Sequence, residues 1–264
     1  LIDGKVDIIF YDVEKKVSYS YWKNAFNLER IVKENIKFSL TYPYKANDIT
    51  LNSAETLISN YFKNELTGIG GKKTLIIGAG NIGFKLALKL NESGSDVYLY
   101  RRNKNKLKGI VKTLNDIKPE GTIAKSHICN KLQNTIRDAD IIVNCSDNKE
   151  VLNQNHTKFI KSDCFLVDIG KGMFEKSALK YLIEKKINVF RLDVTPGYNS
   201  FIENFSISNQ IYDLKKFGRK KINGKSYISR GILGFENEIV TDNPYNPKKI
   251  YGVADGYGDF KKKK

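Results

Sequence analysis

Three glycines, Gly78, Gly80 and Gly83, stand at G-x-G-x-x-G spacing where the run Lys72-Lys73-Thr74-Leu75-Ile76-Ile77 ends. This residue type at this spacing suits a pyrophosphate. The first glycine makes a tight turn, the second lets the backbone approach the phosphates, and the third lets a helix pack against the preceding strand. The anion then meets free N–H groups at the helix N-terminus, so Ala79, Asn81 and Ile82 join the glycines as expected contacts. A second group lies about 20 residues further on, where Arg101, Arg102 and Asn103 follow Asp96-Val97-Tyr98-Leu99-Tyr100. A fold that selects NAD places an Asp or Glu there for the ribose 2′-hydroxyl. Two guanidinium groups suit a 2′-phosphate instead, through charge and bidentate hydrogen bonds. Asp96 opens its strand too early to serve. NADP is therefore the expected cofactor, the alternative being two solvated arginines in a turn.

A bare glycine triplet is weak evidence, and it needs a strand before it and a helix after it. Residues 74–77 have the apolar run of a strand, and residues 82–91 have the pattern of a helix. The alternation then continues: strand 96–100, helix 103–114, a weak strand within 121–128, strand 140–145, helix over most of 149–160, strand 164–169, helix 177–186 and strand 188–194. Strands alternating with helices of about ten residues imply βαβ units. Continuously apolar strands such as Ile141-Ile142-Val143 suit a parallel sheet buried on both faces. The fold expected is α/β: a doubly wound, mainly parallel Rossmann sheet with a small N-terminal α/β region and a C-terminal antiparallel extension.

Three regions follow. Residues 1–50 form a small N-terminal cap or substrate region, with strands expected at 6–11, 17–22 and 36–40 and a helix at 27–35. It is either a reduced cap or part of a longer region that begins before Leu1, which is not Met. Residues 51–197 form the NADP-binding domain, introduced by a helix capped at Asp48 or at Asn52-Ser53 and running to about residue 63. Leu57, Ile58, Tyr61 and Phe62 fall on one face of that helix. Residues 198–264 hold a helix over 199–217, a basic turn at Gly218-Arg219-Lys220-Lys221, short strands at 226–232, 238–241 and 249–253, and a lysine tail. This extension could cap the site or make an oligomer contact, with a homodimer as the candidate assembly.

The run Gly71 to Gly80, then Tyr100-Arg101-Arg102-Asn103, then Asp138-Ala139-Asp140-Ile141-Ile142-Val143-Asn144-Cys145 resembles the cofactor domain of the shikimate dehydrogenase group. That group neighbours the methylene-tetrahydrofolate and amino-acid dehydrogenases, and the likeness covers about residues 50–195. It implies that the segment after the fourth strand passes near the nicotinamide, making Asn144, Cys145, Ser146 and Asp147 site candidates. It also implies that the turn Gly170-Lys171-Gly172-Met173 lies on the same side, outside the carboxyl ends of the strands. Lys171 is a candidate catalytic residue there. In the leading region Ser39-Leu40-Thr41-Tyr42-Pro43-Tyr44-Lys45 is similar to the N-x-T-x-P-x-K segment that holds the acid/base lysine of shikimate dehydrogenases, with Ser39 in place of Asn. The family's partner aspartate follows tens of residues later, whereas Asp48 comes three residues after Lys45. Lys45 and Asp48 could relay a proton as hydride moves to or from a carbonyl or imine carbon; the other reading is a surface lysine beside a helix-capping aspartate. Asp193, before Thr195-Pro196-Gly197, could bind substrate or cap the next helix.

Composition excludes several other classes. The 264 residues are 41% hydrophobic and 28% charged, a globular balance, and no run approaches the roughly 18 apolar residues of a membrane span. Cys129, Cys145 and Cys164 are too widely spaced for a metal or redox motif, which suggests buried free thiols and a reducing, cytoplasmic setting. His127 and His156 are expected to be structural, and no metal site is expected. No serine-hydrolase elbow or Walker loop occurs. The net charge of +16 is spread over scattered lysines. It suits attraction of small anions better than nucleic-acid binding, and neither nucleic acid nor membrane is an expected partner. The reading is an NADP-dependent oxidoreductase that moves a hydride to or from a small polar hydroxy/keto or amino/imino substrate. Its alternative is a non-catalytic NADP-binding redox sensor or partner subunit.

Overall fold

The computed structural model describes residues 2–14, 28–211 and 214–262. The strand expected at 17–22 lies outside the described residues. The chain divides into two compact units, Leu1–Asn199 and Ser200–Lys264, with the boundary inside one helix.

The first unit contains a six-stranded parallel sheet ordered β5-β4-β3-β6-β7-β8. Its strands are β3 (Lys73–Ile77), β4 (Asp96–Tyr100), β5 (Ser126–Ile128), β6 (Ile141–Asn144), β7 (Phe165–Asp168) and β8 (Val189–Arg191). Numbered within the sheet, the order is 3-2-1-4-5-6, the doubly wound arrangement whose direction reverses between β3 and β6. All four residues of β6 are buried, as are Thr74 to Ile77, so these central strands are covered on both faces. One layer is built on Ile76, Leu86, Leu90, Val97, Leu99, Val143 and Phe165, and the other on Leu75, Ile77, Ile142, Leu166 and Leu182. The alternation of neighbouring residues between the two layers follows from the strand's period of two.

Helices α3 (Asn81–Glu92), α4 (Lys104–Ile117), α5 (Leu132–Asp138), α6 (Gln154–Thr157) and α7 (Lys176–Glu184) supply the crossovers. The helix expected over 149–160 shrinks to α6, because Leu152 bridges to Phe174 and the chain there runs extended. Helix α5 was not expected; at seven residues it carries little periodicity. Helix α2 (Ala46–Tyr61) starts before both expected caps. Asn52 and Ser53 lie in its interior, where the Ser53 hydroxyl donates to the Ile49 carbonyl at 2.9 Å. Ahead of it, β1 (Ile8–Asp12) and β2 (Leu40–Tyr44) pair in parallel around α1 (Leu28–Asn35).

Helix α8 (Thr195–Ile211) leads into the second unit. Its sheet, ordered β13-β12-β11-β10-β9, contains β9 (Arg219–Ile222), β10 (Lys225–Ser229), β11 (Ile239–Thr241), β12 (Ile250–Ala254) and β13 (Phe260–Lys261). The expected basic turn is strand β9, and the sheet is mixed, since β10 and β11 run parallel. Glu238 organises this small unit. Its buried carboxylate accepts from Arg219 Nε at 2.7 Å and Nη2 at 3.0 Å, from Ser226 Oγ at 2.6 Å and from the Phe235 N–H at 2.7 Å. Burial works against that charge, but these donors hold the carboxyl below its ordinary range.

Candidate cofactor crevice

Where β3 and β6 part at the switch point, the glycine turn meets the segment that follows β6. The Gly78 N–H donates to the Tyr100 carbonyl at 2.9 Å, and the Cys145 N–H donates to the Ile77 carbonyl at 2.7 Å. Gly78 has φ +102°, and a Cβ there would sit 2.7 Å from Ser146 N. A Cβ on Gly83 would sit 2.0 Å from the Gly78 carbonyl oxygen. These two glycines are required by the protein's own packing. Gly80 differs, because a Cβ there would have no protein atom within 4 Å. It is the N-cap of α3 and offers no side chain to the first-turn N–H groups, which have no acceptor within the helix. An open cradle at an uncapped helix N-terminus fits a pyrophosphate.

The turn forms one wall of a cavity of about 620 Å³, whose other walls are the end of β4 from Tyr100 to Asn103 and the segment 145–149 with Val151. Gly78, Ala79, Gly80, Arg101, Arg102, Asn103, Cys145 and Ser146 all line it, whereas Asn81 and Ile82 lie just beyond, at the start of α3. Arg101 Nη1 donates to the Ala79 carbonyl at 2.6 Å, fastening the β4 end to the glycine turn. Arg102 reaches across the opening, with Nη2 donating to Asn148 Oδ1 at 2.8 Å. The Asn103 side chain accepts from the Lys106 N–H at 3.0 Å and caps α4. With Lys149 also in the lining and Asp147 its one carboxylate, the wall is cationic.

Asn144 is fully buried behind this wall. Its amide donates to Asp168 Oδ1 at 2.7 Å and to the Ser146 carbonyl at 3.2 Å, and its Oδ1 accepts from the Ser146 N–H at 3.0 Å. Asp168, at the end of β7, also accepts from the N–H groups of Lys171, Gly172 and Met173 at 2.7–3.0 Å. Together they lock the turn after β7 onto the turn after β6, and a Cβ on Gly170 would fall 1.7 Å from the Ser146 carbonyl oxygen. Lys171 is exposed in that turn, at φ +64°, and lies outside the cavity lining. Burial pushes the Cys145 thiol up to about 12, and the charge of Asp168 adds to the shift, so the sulfur is protonated and is no nucleophile.

Lys45 and Asp48 do not form a pair. Lys45 is the exposed N-cap of α2, and the Asp48 carboxylate is taken by Lys85 of α3. Packing of α2 against α3 brings that lysine to the carboxylate. Asp193 caps: it accepts the Thr195 N–H at 2.9 Å at the start of α8, and that bond holds its carboxyl low. His156 Nδ1 accepts the Asn153 N–H at 3.3 Å at the start of α6, and His127 stacks on Tyr98 at 4.8 Å. Among the described residues no group of three His, Cys, Asp or Glu is placed to hold a metal, and no helix is long and apolar enough to cross a membrane. Lys149 and Val151 were hidden because their stretch reads as helix, and Asn148, just before it, carries no motif of its own. Asp168 carried a usable signal, as the polar last residue of an apolar parallel strand next to the switch point.

Solved structures with a similar fold include the dipicolinate synthase A chain from Bacillus subtilis, at 19% identity and TM-score 0.45, covering 79% of this chain and 65% of that one. The corresponding dipicolinate synthase chain from Bacillus halodurans matches at 17% identity and TM-score 0.45, covering 75% of each chain. D-mandelate dehydrogenase from Rhodotorula graminis matches at 11% and 0.44, covering 70% of this chain and 57% of that one. The chain thus spans less than two thirds of the length of the first and third of these. No curated protein sequence matches it. A family model does: that of the NAD-binding domain of D-isomer-specific 2-hydroxyacid dehydrogenases matches residues 48–203. The expectation of a Rossmann dehydrogenase with a nicotinamide dinucleotide holds, while the narrower likeness to shikimate dehydrogenases gains no support. The match runs from α2 through all six strands of the parallel sheet into α8 and takes in every residue of the crevice, and by it the chain belongs to the D-isomer-specific 2-hydroxyacid dehydrogenase NAD-binding domain family.

Proposed function

We propose that this chain is the cofactor-binding part of an NADP-dependent oxidoreductase acting on a small polar hydroxy/keto or amino/imino compound. One observation carries the choice of NADP: β4 ends in Arg101 and Arg102, both on the cavity wall, with no acidic residue between Tyr100 and Lys104. A nicotinamide dinucleotide would supply or accept the hydride. The glycine turn and the free N–H groups of α3 would hold its pyrophosphate. Arg102 would exchange its neutral partner Asn148 for the 2′-phosphate, and Arg101 would keep the turn in place through Ala79. The interlocked turns 144–146 and 168–173 would position the reacting face by fixing the wall on the β6 side. For the proton, Lys171 is the stronger candidate, since Asp48 is committed to Lys85.

A second reading, an NADP-binding sensor or partner subunit, is favoured by one feature of the cavity. Its lining holds a protonated thiol and no histidine. Paired NADPH and NADH titrations of the wild type and of Arg102→Ala test the cofactor assignment. Preference for NADPH that disappears in the variant supports it, and equal affinity in the wild type overturns it. Turnover of carbonyl or imine substrates, followed by nicotinamide absorbance, separates enzyme from sensor.

A further inference from the structure

The second unit contains a cavity of its own, of about 820 Å³, outside the residues matched by the family model. It falls in the range of roughly 300–1,000 Å³ typical of small-molecule sites. Three cationic side chains from three parts of the unit line it: Lys216 ahead of β9, Arg230 after β10, and Lys248 in the loop before β12. The Arg230 guanidinium lies 5.1 Å from the centre of the Tyr251 ring, also in the lining. Among the described residues neither Arg230 nor Lys248 has a carboxylate partner. Asp242 is the one acid in the wall, and its Oδ1 faces inward to its own loop, accepting from the Lys248 and Lys249 N–H groups at 3.0 and 2.9 Å.

The walls are stapled rather than loose. Ser229 Oγ donates to the Lys216 carbonyl at 2.8 Å and accepts the Gly218 N–H at 2.8 Å. Thr241 Oγ1 donates to the Lys249 carbonyl at 2.7 Å, and the Arg230 N–H donates to the Thr241 carbonyl at 3.0 Å. Holding cations on fixed backbone around an aromatic ring costs repulsion, which a bound anion would relieve. We propose that this cavity is a second ligand site, for a small molecule bearing at least two oxyanion charges, phosphate or carboxylate, gathered by Arg230 and Lys248.

Calorimetric titration of the full chain with inorganic pyrophosphate and, separately, with citrate tests this and distinguishes the two sources of charge. The expected result is saturable binding of at least one anion that weakens about tenfold or more in Arg230→Ala/Lys248→Ala, the loss of one charge-assisted contact or more. The binding survives in Gly80→Ala, whose methyl closes the cradle at the start of α3, and this assigns it to the second cavity and not to the cofactor crevice whatever becomes of the NADP reading. Circular dichroism verifies the fold of each variant, and the charge-conserving Arg230→Lys/Lys248→Arg restores affinity. Binding indifferent to Arg230→Ala/Lys248→Ala, or no saturable binding of either anion, overturns the proposal.

Discussion

Gly80 and Gly83 make opposite predictions for the same substitution. In Gly83→Ala the new methyl would lie 2.0 Å from the Gly78 carbonyl oxygen, about 1.5 Å short of a normal contact of roughly 3.5 Å. Both sides of that overlap are backbone, so no side chain can swing away; α3 has to move off β3. Overpacking costs about 1–3 kcal/mol, and this case belongs at the upper end, which lowers the melting temperature by roughly 6–12 °C. In Gly80→Ala the methyl meets no protein atom within 4 Å, and the residue has φ −95°, which alanine adopts freely. The protein should lose at most about 1 kcal/mol, from poorer N-capping. The methyl would fill the cradle, however, and keep an anion from the free N–H groups. Each charge-assisted hydrogen bond lost costs about 1.5–3 kcal/mol, so NADPH and NADH affinity should both fall by roughly 10–150-fold or more. Thermal melts and nicotinamide fluorescence titrations on both variants supply the comparison. A Gly80→Ala protein that binds both cofactors as the wild type does would refute the placement of the pyrophosphate on this turn.

The two arginines should separate in the same titration. Arg102→Ala should weaken NADPH by about 10-fold or more with NADH little changed, whereas Arg101→Ala should weaken both, because Arg101 holds the Ala79 carbonyl; matched losses in the two variants would contradict this division. With its thiol at about 12, native Cys145 carries about one thiolate in ten thousand molecules at pH 8. Peptide mass spectrometry should therefore find native Cys145, half-buried in the crevice wall, alkylated by iodoacetamide far more slowly than the unfolded chain, and equally fast labelling of the two would show that the thiol is not held protonated. Asp242 sets an acid limit on the second unit: burial opposes its charge, yet the Lys249 and Lys248 N–H groups hold its carboxyl at about 2, below the ordinary 3.8. A lowered folded-state value contributes stability that is complete above the unfolded value and is lost as pH falls from about 4 through 2. Asp242→Asn should flatten the melting temperature over that window, and an unchanged pH profile would remove Asp242 as the cause.

What could be read from sequence was what depends on neighbours in sequence. The apolar runs of β3, β6 and β7 and the glycine spacing announced a parallel sheet with a phosphate turn, because the residue pattern itself builds both. The 149–160 stretch misled because its helix-like composition is overruled by a pairing between Leu152 and Phe174, a contact set by tertiary packing. The failure of the Lys45–Asp48 pairing was hidden from sequence for a related reason: Lys85 arrives from another helix and takes the Asp48 carboxylate. The glycines teach the sharper lesson. Sequence treats Gly78, Gly80 and Gly83 as one motif, but the structure divides them into two that the protein's own backbone requires and one that it does not. Open space alone decides nothing, since Gly109 and Gly121 have it too; what sets Gly80 apart is its place at an uncapped helix N-terminus beside two arginines, where an anion is favoured. On the proposed reading the pyrophosphate would occupy that space, which makes Gly80 the one glycine of the turn whose substitution tests the cofactor and not the fold.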